Sequence, residues 1–123
     1  MPTVAVIGAS SRRRKFGNIS LRAHEQQGYD VYAVNPNEET VEGHPAYASI
    51  VDVPVDRLDR VTMYVPPHIG ITLLEDIAGK SPGEVWFNPG SADTALLQKA
   101  KDLGLNVIQG CSIVDLGVSP GEF

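Results

Sequence analysis

The residues best suited to chemistry lie in one stretch near the N-terminus, Gly8-Ala9-Ser10-Ser11-Arg12-Arg13-Arg14-Lys15, followed by Gly17-Asn18. Four of the chain's ten Lys and Arg residues fall in it, although the net charge is −5. The stretch follows a β-branched run, Thr3–Ile7, and precedes a helical pattern. A strand, a glycine-containing turn and a helix N-terminus together present unpaired backbone N–H groups and a positive dipole end to an anion. Gly8 lets the backbone approach a ligand closely, and Gly17 lies where the helix begins. Charge-assisted hydrogen bonds contribute about 1.5–3 kcal/mol each, so two good ones would decide the affinity for a small polyanion. The acidic balance argues against a general nucleic-acid binder or a polybasic membrane-surface protein.

Other chemistries find little support. The three histidines, His24, His44 and His68, have no metal-ligand spacing. The single cysteine, Cys111, excludes an intramolecular disulfide framework and a Cys-based zinc cluster. No long apolar run could span a bilayer, and the N-terminal residues lack the pattern of a secretory signal. The expected compartment is the cytoplasm.

The elements that must position the loop alternate along the chain. Continuous apolar runs mark strands buried on both faces of a sheet at Thr3–Ile7, Asp30–Val34, Val61–Val65, Glu84–Phe87 and Leu105–Ile108. Helical patterns run from Asn18 to Gly28, from Pro67 through Ile77, and from a Ser91 cap through Ala100 to Gly104. The segment from Asn37 to Pro54 is turn-rich, with one short edge strand near Ala46 and a short helix before Pro54. Residues 113–123 are too interrupted by Gly and Pro for a long helix and are expected to lie across a sheet edge or a partner. Trp86 and Phe87 are expected in the core or at a subunit contact. With 123 residues, the chain reads as one domain, residues 1–123. Its fold class is α/β, a Rossmann-like doubly wound, mainly parallel sheet of about five strands with helices on both faces.

In such sheets ligands bind outside the carboxyl ends of the strands, where strand order reverses. The residues expected there are Gly8 to Ser11, Asn35-Pro36, Val65-Pro66-Pro67-His68, Asn88-Pro89-Gly90 and Gly110-Cys111-Ser112. No pair of carboxylates converges on that edge, which weakens a general acid–base reading. The first loop lacks the GxGxxG spacing of dinucleotide folds, and Asn35 stands where an acidic residue would bind an NAD ribose. A neutral side chain facing a basic loop favours a ligand with an extra phosphate near the ribose. NADP and coenzyme A both satisfy that description.

Val4 to Ser10, Gly17-Asn18, Gly28 to Pro36, Gly43, Tyr47, Val65-Pro66-Pro67, Val85 to Gly90 and Gly110 to Ile113 together resemble the stand-alone CoA-binding domain family. That family is related to the N-terminal domain of the succinyl-CoA ligase α subunit. The resemblance implies that Gly8, Ala9 and Ser10 meet the phosphates. It implies that one or more of Arg12, Arg13, Arg14 and Lys15 meets the 3′-phosphate or the diphosphate, and that Gly17-Asn18 opens the supporting helix. It places Asn35-Pro36 by the adenosine ribose and Val65-Pro66-Pro67 beside adenine or the diphosphate. The loops at 88–90 and 111–113 would line the path to the pantetheine arm. The three consecutive arginines depart from the family's usual loop. The ligases carry a phosphorylated histidine in a second domain, which these residues do not include.

The resulting expectation is a module that binds coenzyme A or acyl-CoA, as a carrier, sensor or accessory protein rather than an enzyme. An NADP-dependent oxidoreductase, with Tyr64 or His68 as proton donor, and an interaction protein with a vestigial pocket are the alternatives. Cys111 reads either as a small buried apolar residue or as a partner for the CoA thiol in a mixed disulfide. A homodimer or another protein partner stays open.

Overall fold

Each of the five apolar runs forms a parallel strand in the computed structural model, which describes residues 1–123. The strands are β1 (Thr3–Ile7), β2 (Asp30–Val34), β3 (Thr40–Val41), β4 (His44–Tyr47), β5 (Arg60–Met63), β6 (Glu84–Phe87) and β7 (Val107–Gln109). They form one sheet in the order β3-β4-β2-β1-β5-β6-β7. All neighbours are parallel except the β3–β4 hairpin. Helices α1 (Phe16–Gln26), α2 (Pro67–Gly70), α3 (Leu74–Ala78), α4 (Thr94–Asp102) and α5 (Ser112–Asp115) cover its two faces. No helix is long and apolar enough to cross a membrane.

The sheet thus has seven strands where the apolar runs predict about five. The additional pair comes from the turn-rich segment; the strand expected at the edge near Ala46 is β4, which lies one position in because β3 pairs with it and forms the edge itself. The β4 residues, His44-Pro45-Ala46-Tyr47, form no apolar run, and a proline is tolerated because the strand lies near the sheet's edge. The expected short helix before Pro54 is a 3₁₀ turn at Ile50–Asp52. The cap of α4 is Asp93, whose carboxylate accepts from Leu96 N–H at 2.9 Å, rather than Ser91. The Ser91 hydroxyl instead donates to the Asn88 carbonyl at 2.7 Å. The C-terminal segment packs on α1 rather than across the sheet edge, with Ile113 buried against Ile19 and Ala23.

Strand periodicity sorts side chains into two unlike layers. Ala5, Ile7, Val61, Met63, Val85 and Phe87 point to one face and pack under Leu74, Ile77 and Leu96 in an apolar core. On the other face Val4, Val6, Val31 and Ala33 pack against Leu21 of α1. There β5 and β6 contribute Arg60, Thr62, Glu84 and Trp86 instead of aliphatic groups. The Arg60 guanidinium lies 3.0 Å from Glu84 and 2.8 Å from Asp115, and 4.9 Å over the Trp86 ring. Asp115 is the last residue of α5, so this buried cation ties the C-terminal segment to the sheet.

Helix α1 is seated by a backbone contact. A Cβ on Gly17 would stand 2.3 Å from the Gly8 carbonyl oxygen, and a Cβ on Gly8 would stand 2.7 Å from the Tyr64 carbonyl oxygen. Gly8 also has φ +87°, a conformation that side chains other than glycine's adopt at a cost. The end of β1 is therefore pressed between the first turn of α1 and the chain leaving β5.

Two outcomes follow from these contacts. Gly17→Ala forces the first loop away from α1 and is expected to destabilise the fold by roughly 1–3 kcal/mol, despite alanine's better helix propensity. A urea midpoint equal to or above that of the unchanged protein would contradict the contact. The second concerns His24, which is buried and whose Nδ1 lies 2.8 Å from the Ser20 carbonyl oxygen. Burial, reinforced by the Arg60 charge, pushes its pKa from 6.5 down to about 4. Between those values the unfolded chain binds a proton that the folded chain refuses. The stability is full above the unfolded pKa and is lost as pH falls through this window, by up to roughly 3 kcal/mol. Denaturation at about pH 7.5 and about pH 4.5 should show a larger loss in the unchanged protein than in His24→Gln; equal losses would refute this role.

Candidate functional site

Strand order reverses between β1 and β5, because β1 leads to β2 on one side while β5 starts the other half of the sheet. The carboxyl ends of these strands open there into a cleft of about 670 Å³, a volume typical of small-molecule sites. Its floor is the apolar end of the sheet, Ile7, Val34 and Met63. Gly8, Ser10, Lys15 and Gly17 form one wall, with Asn35 and Pro36 at the end of β2 and Val65 and Pro66 after β5.

Helix α1 opens onto this cleft without a side-chain cap. Lys15, at the cap position, has extended backbone, and its carbonyl accepts the Asn18 and Ile19 N–H groups at 3.0 Å. The N–H groups of Phe16 and Gly17, both cleft-lining residues, have no protein acceptor. This is the arrangement that favours an anion at a helix start.

The other expected site residues lie behind or outside the cleft. Ala9 is buried under the first loop. Asn18 is also buried, donating to the Ser10 carbonyl at 2.8 Å and to Glu42 at 3.1 Å while its own oxygen accepts from Arg22 at 2.6 Å. It shapes the loop from beneath. Ser11, Arg12, Arg13 and Arg14 are exposed and do not line the cleft. Arg13 lies 3.4 Å from Glu42. Pro67 starts α2, and His68 follows it on an exposed position away from the cleft wall.

Asn88 is fully committed within the protein. It donates to Thr62 at 2.7 Å and to the Met63 carbonyl at 2.9 Å, and accepts from the Ser112 N–H at 2.9 Å. Cys111 is half-buried beside α1, against the cluster of Ile19, Ala23 and Ile113. It therefore lies outside the cleft. The Tyr64 hydroxyl also points to this side, 3.0 Å from Ser112 Oγ, and burial pushes its pKa up.

Several lining residues were not read from the sequence. Phe16, just before Gly17, is 58% exposed at the cleft mouth, and Ile69 of α2 is 42% exposed there as well. An aromatic residue closing a run of four basic ones was the available signal for Phe16. Ala48, Ser49 and Ile50 line the cleft because β4 runs parallel to β2, so its carboxyl end reaches the same edge. The loop at 88–90, by contrast, is among the expected residues; it reaches the cleft through Pro89 and Gly90, with Ser91 beside them, beyond the buried Asn88.

The end of β2 differs most from expectation. The Asn35 amide is spent on the Ala9 carbonyl at 2.8 Å, and the group that faces the basic loop is the Glu38 carboxylate. Glu38 accepts from both the Ser11 N–H and the Ser11 hydroxyl, the latter at 3.0 Å. These bonds hold its carboxyl below the ordinary range, and the charges of Arg12 and Lys15 add to the effect.

The sequence is 41% identical over 93 residues to the α subunit of acetate–CoA ligase (ADP-forming) II of Pyrococcus furiosus, covering 74% of this chain and 20% of the subunit. It is 34% identical over 94 residues to acetate–CoA ligase (ADP-forming) I of Archaeoglobus fulgidus, covering 76% of this chain and 14% of that protein. The chain thus spans about a fifth or less of these curated relatives. A solved structure of a conserved hypothetical protein from P. furiosus superposes with a TM-score of 0.84 at 28% identity, covering 94% of this chain and 99% of that one. The pattern of the CoA binding domain matches residues 2–117. A doubly wound sheet with a cleft at its switch point, matched by that pattern over nearly its whole length, establishes that this chain belongs to the CoA-binding domain family.

Proposed function

We propose that the cleft binds coenzyme A or an acyl-CoA and that the protein serves as a carrier, sensor or accessory module. One observation carries the reading: the uncapped start of α1 opens, beside Lys15, into a cleft of about 670 Å³ with an apolar floor. The free N–H groups suit a phosphate, and the floor suits the less polar parts of the ligand, the adenine and the pantetheine arm. The curated relatives are acetate–CoA ligases by name, which agrees with a CoA ligand.

In this reading Gly8, Ser10 and Gly17 bring backbone close to the phosphates, and Lys15 supplies the charge. Asn35, Pro36, Val65 and Pro66 bound the nucleoside. The NADP alternative loses its best proton donor, because the Tyr64 hydroxyl is engaged with Ser112 under α1.

Calorimetric titration with CoA, 3′-dephospho-CoA and NADP in parallel tests the proposal. CoA is expected to bind, and Lys15→Ala to weaken it about tenfold, the equivalent of one charge-assisted hydrogen bond. Arg14→Ala, outside the cleft wall, is expected to change affinity less than threefold, roughly the scale of a surface charge. Binding of NADP without CoA would overturn the reading, as would the absence of CoA binding.

A further inference from the structure

The loop after β2 crosses in front of the first loop and places a carboxylate on donors suited to an anion. Ser11 offers its N–H and its hydroxyl to the two oxygens of Glu38. The approach is built by Asn35. Its amide holds the Ala9 carbonyl, and its side-chain oxygen accepts the Asn37 N–H at 2.9 Å, turning the chain so that residue 38 returns to the first loop. Ser10 and Lys15 line the cleft on one side of this contact and Asn37 on the other. The Glu38–Ser11 pair therefore lies next to cleft-lining residues on both segments without lining the cleft itself, with the positive charges of Arg12 and Lys15 close by.

We infer that Glu38 is an internal substitute for a ligand phosphate, holding the Ser11 donors in the free protein and giving way when a phosphate arrives. The inference rests on the reading of the cleft as a CoA site and adds a residue that sets its affinity and selectivity. A carboxylate and a phosphate are both oxygen acceptors for the same N–H and O–H groups, so they compete for them. They also repel, so a phosphate cannot settle beside Ser11 while Glu38 remains. A competing state that occupies most molecules lowers the apparent affinity in proportion to its population. Because the competitor is tethered, a lone inorganic anion has little advantage over it. A ligand anchored by the rest of the cleft can displace it.

The test compares the unchanged protein with Glu38→Gln and Glu38→Ala by titration with CoA, 3′-dephospho-CoA and pantetheine. Thermal melting confirms that both variants fold. Removing the charge is expected to tighten CoA binding about tenfold while leaving pantetheine, which has no phosphate, unchanged. A gain confined to CoA assigns the displaced contact to the 3′-phosphate. A gain shared with 3′-dephospho-CoA assigns it to the diphosphate. Equal or weaker CoA binding by the variants, with the unchanged protein binding normally, overturns the inference and leaves the CoA reading intact. Absence of CoA binding in all three proteins overturns both.

Discussion

The structure depends on a stack of three backbone segments at the end of β1. Gly8 lies between the Tyr64 carbonyl on one side and Gly17 of α1 on the other, with no space for a side chain at either glycine. Because the contact is backbone on backbone, no rotamer can absorb an error in it. It sets the position of the α1 N-terminus relative to β1 and β5, the two strands between which the sheet order reverses. The cleft lies at that reversal, so the direction of the helix dipole and the place where it can act are set together.

The two faces of the sheet divide the work. On the α3 and α4 side the core is wholly apolar, and its upper end becomes the cleft floor. On the α1 and α5 side, β5 and β6 bury polar groups that satisfy one another. Arg60 engages Glu84 and Asp115, and Asn88, Thr62, Tyr64 and Ser112 form a closed set of hydrogen bonds. No buried side-chain nitrogen or oxygen is left without a partner, the condition under which buried polar networks rigidify a fold rather than weaken it. This explains why Asn88, Ser112 and the Tyr64 hydroxyl, polar groups near the strand ends, serve the packing of α5, although Tyr64 itself also borders the cleft.

The parallel strands other than β4 were legible because burial on both faces favours apolar runs, and each such run is present. The β3–β4 hairpin was largely illegible: an edge strand needs no such run, and His44-Pro45-Ala46-Tyr47 has none. Missing the direction of β4 also hid Ala48 to Ile50, since only a parallel strand carries them to the ligand edge. The cap of α4 was misplaced by two residues because Ser and Asp are both good caps, and only the engagement of Ser91 with Asn88 separates them. For the first loop, Gly8, Ser10 and Gly17 were legible from strand–glycine–helix logic, but that logic could not single out Lys15 from the run Arg12 to Lys15 as the one that lines the cleft. Asn18 has a type suited to a ligand and a buried position suited to holding the loop, and sequence spacing cannot distinguish these.

The basic run shows the same difference between formal and available charge. Arg12 to Lys15 read as a concentrated positive patch on an acidic chain, but the segment after β2 returns two carboxylates to it. Glu42 meets Arg13 and Asn18, and Glu38 meets Ser11 near Arg12 and Lys15. These partners lie more than twenty positions away, 27 in the case of Ser11 and Glu38, so no local pattern announces them. Exposed arginines paired in this way add little on their own, because water and salt screen them. In the proposed CoA site, selectivity for a phosphate would then rest on what is fixed and directional: the free N–H groups at the start of α1, the single lysine on the cleft wall, and the inferred competition of Glu38 for Ser11.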